Sequence, residues 1–160
     1  MKKLFLSGLF VLLTSSAFAK GLTLATGVLD YSDDKQRAGF LEGVYNFGED
    51  KSLETILGKL VPISGALLTD DNASMVYAGF KVDYKIGNFL ISPSVTPGYY
   101  EEGDGKDLGN SFEIKSQINL GWKTRDKSNI GLSYSHISNA NIGDKNPGAN
   151  NIAFTFYTQF

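Results

Sequence analysis

Cysteine is absent from all 160 residues. No disulfide staple is therefore available to the fold, whatever compartment the chain enters. Histidine occurs once, at His136. There is no excess of positive charge: 15 Lys+Arg stand against 17 Asp+Glu, for a formal net charge of -2. That balance argues against nucleic acid as a partner, since such partners select a basic face. Long apolar runs are also scarce. The N-terminal run from Leu4 to Leu13 is too short to span a bilayer as a helix, and no other stretch reaches the ~20 apolar residues such a helix needs.

What the N-terminus does have is the layout of an export signal. Lys2 and Lys3 form a positive start, the apolar run follows, and Ala17-Phe18-Ala19 is a small-x-small cleavage site. The expected cut precedes Lys20 and leaves 141 residues, enough for one domain over 20–160. Removal of the two lysines brings the net charge to -4. The protein is expected beyond the inner membrane, with no helix holding it there.

Apolar residues then recur with period two, the signature of strands with two unlike faces. The clearest segment sets Phe112, Ile114, Ile118, Leu120 and Trp122 against Glu113, Lys115, Gln117, Asn119 and Gly121. Val76, Ala78, Phe80, Val82 and Tyr84 oppose Lys81, Asp83 and Lys85, and Ile152, Phe154 and Phe156 oppose Ala153, Thr155 and Tyr157. Leu22, Leu24 and Val28 share one parity, as do Leu41, Tyr45 and Phe47; Phe89, Ile91 and Val95 lead a further segment, and Ile130, Leu132 and Tyr134 another. The region 57–68, interrupted by Pro62, is poorly patterned, and Ser52 to Leu60 has the option of a short helical turn.

Eight segments of about ten residues, each with one apolar face, predict an all-β fold: an eight-stranded antiparallel up-and-down transmembrane β-barrel. A soluble lipid-binding barrel in the periplasm would reverse the faces, with apolar residues inside. Three features favour the membrane form. Lys81, Asp83, Lys85, Glu113 and Lys115 share the polar faces and can pair in a narrow wet lumen. Aromatics lie near segment ends, as in interfacial girdles. Phe160 ends the chain, resembling the signal by which bacterial outer-membrane barrels engage their assembly machinery. An even strand number puts both termini on the periplasmic side, with connections near 32–37, 69–74, 101–110 and 139–149 outside. The acidic residues there (Asp33, Asp34, Asp70, Asp71, Glu101, Glu102, Asp104, Asp107) read first as solvated turns, with a role in holding divalent ions as the alternative.

His136 and Ser138 are the candidate base and nucleophile. At i and i+2 on a strand they point the same way. Extending the parity of Ile130, Leu132 and Tyr134 puts both on the outer wall of the barrel, and Asn150 shares the parity of Ile152 on the next strand. Polar groups on that wall are costly near the bilayer midplane and cheaper near the interface, which suits a substrate that is itself a membrane lipid. A bland reading has strand pairing fail after Tyr134, leaving the pair as ordinary loop residues.

The stretch His136-Ile-Ser138-Asn139-Ala140, followed by Asn146-Pro-Gly148, resembles the signature of the PagL-type lipid A 3-O-deacylases. Val95-Thr-Pro-Gly-Tyr-Tyr, Gly105-Lys-Asp-Leu-Gly109 and Leu120-Gly-Trp add to the likeness. The resemblance implies an integral outer-membrane enzyme whose site faces the outer leaflet, with lipopolysaccharide as substrate and membrane lipid as surroundings. It implies that Ser138 attacks the ester carbonyl at the 3-position of lipid A, with no metal or organic cofactor. His136 would move the proton, and the Asn139 side chain, with backbone N–H groups around Ala140, would hold the oxyanion.

One departure stands out. The family pattern has a glutamate orienting the histidine, and the matching position here is Asn150. An amide orients an imidazole but supplies no charge to stabilise the imidazolium. Three options follow: Asn150 acts as a weaker orienter, another carboxylate such as Asp144 or Glu113 reaches in, or the chain is a small structural or surface-interaction barrel with a degenerate site.

Overall fold

The structure is a computed structural model that describes residues 19–125 and 127–160. Of the expected export segment only Ala19 is among them, as the first residue of a strand; the rest of that segment lies outside the described residues.

Eight long strands form the barrel: β1 (Ala19–Leu29), β2 (Ala38–Phe47), β4 (Gly58–Thr69), β5 (Ser74–Lys81), β7 (Phe89–Glu101), β8 (Phe112–Arg125), β9 (Ser128–Ser138) and β10 (Ala149–Gln159). Two short strands, β3 (Leu53–Thr55) and β6 (Tyr84–Ile86), extend hairpins at one end. Each barrel strand pairs antiparallel with its neighbour in the chain, and β1 pairs with β10, so the sheet closes on itself. Closure leaves no edge strand with unpaired backbone groups, which a lipid environment demands. Most strands run to 10–14 residues, enough to cross a bilayer at a tilt.

The faces fall as the alternation predicts. Leu24, Leu41, Val76, Val95, Leu120, Leu132 and Phe154 are exposed on the outer wall, whereas Glu42, Lys115, Ser133, Asn151 and Thr155 are buried inside. Aromatic pairs mark both ends: Tyr31 and Tyr134 meet edge-on at 6.5 Å near one rim, Phe89 and Trp122 at 5.1 Å near the other.

Three local details go beyond the alternation. The region 52–60 holds no helical turn; it is the β3–β4 hairpin, preceded by a single 3-10 turn at Glu49–Lys51. Pro62 fits inside β4 because the ladder to β2 begins only at Ile63, so its missing N–H leaves no gap on that side. Val82 does not continue the outer face: β5 ends at Lys81, and Val82 is buried beside Gly58.

The lumen also differs from a uniformly wet channel. In the half nearest His136 it is filled by Leu29, Leu67, Met75, Tyr100, Leu108 and Ile137, all nearly inaccessible. Leu108 comes from the loop between β7 and β8 and plugs that end. The opposite half keeps a polar-lined cavity of about 460 Å³. Charges pair selectively. Lys81 bridges Asp83 at 2.9 Å, and Lys115 pairs with Glu42, whose Oε1 also accepts a 2.6 Å bond from Tyr77. Lys85 lies outside this set, exposed at the rim and 4.0 Å from Glu49. Glu113 is fully buried on the lumen side, and neither carboxyl oxygen has a partner among the described residues.

Candidate active site

β9 remains a regular strand through Ser138, so the outward parity of Leu132 and Tyr134 carries on to His136 and Ser138. The register then does the positioning. His136 stands directly opposite Asn150 on β10, and Ser116 flanks it on β8. Paired side chains on one face of an antiparallel ladder are close enough to touch. Accordingly, His136 Nδ1 and Asn150 Oδ1 are 2.8 Å apart.

The orientation of the Asn150 amide follows from its other partners. Tyr134 donates its hydroxyl proton to the same Oδ1 at 2.9 Å, and Asn150 Nδ2 donates to Ser32 Oγ at 3.3 Å. With Oδ1 accepting, His136 carries its proton on Nδ1, and its Nε2 lone pair is available as a base. Ser138 is half-buried, and its hydroxyl makes no side-chain hydrogen bond among the described residues. Residues i and i+2 on a strand are separated by roughly 6.6 Å along the chain and project from the same face.

The loop after β9 is shaped by two successive left-handed residues, Ala140 (φ 54°) and Asn141 (φ 62°). Gly148, at φ 62°, then brings the chain beneath the imidazole: a Cβ there would meet His136 Cε1 at 2.8 Å. This loop is tied to the β7–β8 loop. Asn139 Nδ2 donates to the carbonyls of Leu108 (2.9 Å) and Lys145 (2.8 Å), and Lys145 pairs with Asp107. The Lys145 ammonium, helped by the Gly109 N–H, holds the Asp107 carboxyl below its ordinary range, and Asp107 in turn raises Lys145.

Asn139 therefore does not offer its side chain to an oxyanion. Strand alternation turns it inward, opposite to Ser138, where it is fully buried with both amide protons committed. Its backbone N–H is also taken, by Asn146 Oδ1 at 3.1 Å. Ala140 lies at the exposed turn, and its N–H has no partner among the described residues.

Neither carboxylate considered from sequence approaches the histidine. Asp144 is exposed in the loop, and Glu113 is sealed in the lumen. The carboxylate that does reach the network is Asp30, at the start of the β1–β2 loop. It accepts from Ser32 Oγ (3.1 Å) and from the Asn150 backbone N–H (3.3 Å) on Oδ1, and pairs with Lys106 on Oδ2. The only sequence signals for it were an aspartate ending an apolar strand and the Gly105-Lys-Asp-Leu-Gly109 stretch that contains Lys106.

Comparison with known proteins gives this arrangement a context. The family described as lipid A 3-O-deacylase (PagL) matches residues 27–158. A relative from Bordetella bronchiseptica, described as lipid A deacylase PagL, is 40% identical over 55 residues. That stretch is 34% of this chain and spans about a third of the relative's length, 31%. Among solved structures, the outer membrane enzyme PagL superposes with a TM-score of 0.69 at 17% identity, covering 88% of this chain and 99% of that one. Neisserial surface protein A (NspA) superposes with a TM-score of 0.54 at 6% identity, covering 88% and 95%. A de novo designed transmembrane barrel gives 0.57 at 10%, covering 89% and 97%. These likenesses speak for the barrel, and the match over most of the chain speaks for the family. The protein is an outer-membrane β-barrel that belongs to the lipid A 3-O-deacylase (PagL) family.

Proposed function

We propose that the protein is an outer-membrane serine esterase that removes the 3-O-linked acyl chain of lipid A in lipopolysaccharide. The observation that carries this reading is the 2.8 Å contact between His136 Nδ1 and Asn150 Oδ1, on the outer wall of the barrel and two residues from Ser138. That contact leaves Nε2 free to serve as the base.

The reaction runs in two halves. His136 Nε2 takes the Ser138 hydroxyl proton as Oγ attacks the ester carbonyl. The tetrahedral oxyanion is held by the Ala140 backbone N–H, which has no partner among the described residues. Collapse breaks the bond to the sugar oxygen, which receives the proton from the imidazolium. Water then attacks the acyl-Ser138 ester with the same base, releasing the fatty acid and restoring the hydroxyl. Asn150 orients the imidazole throughout. No metal or organic cofactor takes part.

The site is proposed to face the outer leaflet, where the acyl chains of lipid A lie beside the apolar wall formed by Leu132, Tyr134, Ile152 and Phe154. The test is mass spectrometry of lipid A from outer membranes holding the protein or its Ser138→Ala form. Loss of one hydroxyacyl chain with the unmodified protein alone supports deacylation and the nucleophile together. Unchanged lipid A in both, with the barrel folded, would favour the second reading: a non-enzymatic surface barrel in which the amide at 150 leaves the site degenerate.

A further inference from the structure

The amide at position 150 ends in no charge of its own, but it is not the last member of its hydrogen-bond chain. His136 Nδ1 bonds Asn150 Oδ1, Asn150 Nδ2 donates to Ser32 Oγ, and Ser32 Oγ donates to Asp30 Oδ1. With the proton on Nδ1, every donor in this chain points the same way, from the imidazole toward the carboxylate. Dipoles aligned head to tail strengthen one another, and positive charge arriving on the ring is stabilised by the whole series. A chain that ended at an isolated amide would offer only the first dipole.

Asp30 is held for such a role. It is 2% exposed, and Lys106 pairs with its other carboxyl oxygen from the far side. Its backbone takes a left-handed turn (φ 49°), a strained conformation that aspartate tolerates better than most residues. Its N–H donates to Asn151 Oδ1 at 2.9 Å, and the next N–H, of Tyr31, donates to the Asn150 carbonyl at 2.9 Å. The β1–β2 loop thus grips residue 150 by main chain and side chain at once.

We propose that Ser32 and Asp30 are positioning residues of the site, supplying through Asn150 the carboxylate that this chain lacks at position 150 itself. The inference rests on His136 acting as the base of the proposed esterase. Ser32 is the point at which to break the chain, because it is exposed and its replacement does not threaten the fold.

The test uses the full barrel in phospholipid–detergent micelles. His136 is the only imidazole, so its ring ¹⁵N shifts report the tautomer without assignment. The unmodified protein is expected to hold neutral His136 as the Nδ1–H form. Ser32→Ala is expected to move a measurable share to the Nε2–H form and to lower kcat on lipid A roughly tenfold with KM unchanged, the effect of one lost hydrogen bond. Ser32→Thr, which keeps the hydroxyl, restores both readouts. In an Asn150→Glu background, where the carboxylate is direct, Ser32→Ala leaves both unaltered. An unchanged tautomer in Ser32→Ala overturns the proposal. A shifted tautomer in a protein that releases no acyl chain upholds the positioning role and sinks the esterase reading instead.

Discussion

Gly148 lies directly under the imidazole of His136. A Cβ at that position would stand 2.8 Å from Cε1 and 3.2 Å from Nε2, and the backbone there is left-handed at φ 62°. Sterics and conformation therefore both demand glycine, and the clash falls on Cε1, the ring carbon next to Nε2.

Gly148→Ala is expected to push the ring off Asn150 and away from Ser138. A non-glycine residue at positive φ costs on the order of 1–2 kcal/mol in addition. The expected outcome is a barrel that folds but loses most deacylation, seen as lipid A that keeps its full set of acyl chains. Retained wild-type turnover in a folded Gly148→Ala barrel would mean that the imidazole does not work from this position.

Asn150→Glu puts a carboxylate where Oδ1 now accepts from both His136 and Tyr134. Both donors keep their acceptor, and the imidazolium gains a neighbouring charge. In serine proteases the reverse change costs about ten-thousand-fold in kcat, which bounds the effect. A gain in kcat of more than tenfold on lipid A is expected, smaller than that bound because Asp30 already contributes and would repel a second carboxylate. A fall in kcat would argue that the amide is the better partner for this loop.

The outward placement of His136, Ser138 and Asn150 was legible because strand alternation runs unbroken from Ile130 to Ser138, and the ladder sets Asn150 opposite His136. The same alternation, read one residue further, turns Asn139 inward, which corrects its expected role. Asp30 was not legible. It meets Asn150 across 120 residues of chain and Lys106 across 76, and only barrel closure brings these together. The apolar plug was hidden for a similar reason: Leu108 sits in a loop without periodicity, and inward Leu29, Leu67 and Ile137 look like accidents until they meet. Val82 escaped because its parity survives on paper after the strand has ended.

The clasp between Asp107 and Lys145 gives a pH signature outside the membrane. Asp107 is held below its ordinary 3.8, chiefly by the hydrogen bond from Lys145, so its contribution is complete above about 3.8 and lost as pH falls through the lowered value. Lys145 is held above its ordinary 10.5, so its contribution is lost only as pH rises through that raised value. From about pH 4 to pH 10 the loops stay joined. Proteolytic nicking within 139–148 is expected to rise below pH 4, and Asp107→Asn is expected to raise it at pH 7. Equal nicking of both forms at pH 7 would show that the Asn139 bonds alone hold the loop. Both residues are exposed, so salt should weaken the difference.

The lumen pair Lys115–Glu42 makes the opposite case, since both side chains are almost completely buried. Tyr77 donates to Glu42 at 2.6 Å and stacks beneath the ammonium, 4.8 Å from ring centre to Nζ. Removing one partner strands a charge on a side chain that is almost completely buried. Glu42→Gln is therefore expected to destabilise the barrel by about 3–5 kcal/mol, and Glu42→Leu with Lys115→Met to recover most of that loss. Urea unfolding in phospholipid vesicles measures both. If the single and double variants unfold alike, the pair would be acting as packing rather than as compensated charge. The alternation that puts apolar residues on the outer wall would then be the larger source of stability, with the lumen charges serving only to keep the interior polar enough for the strands to close in one register.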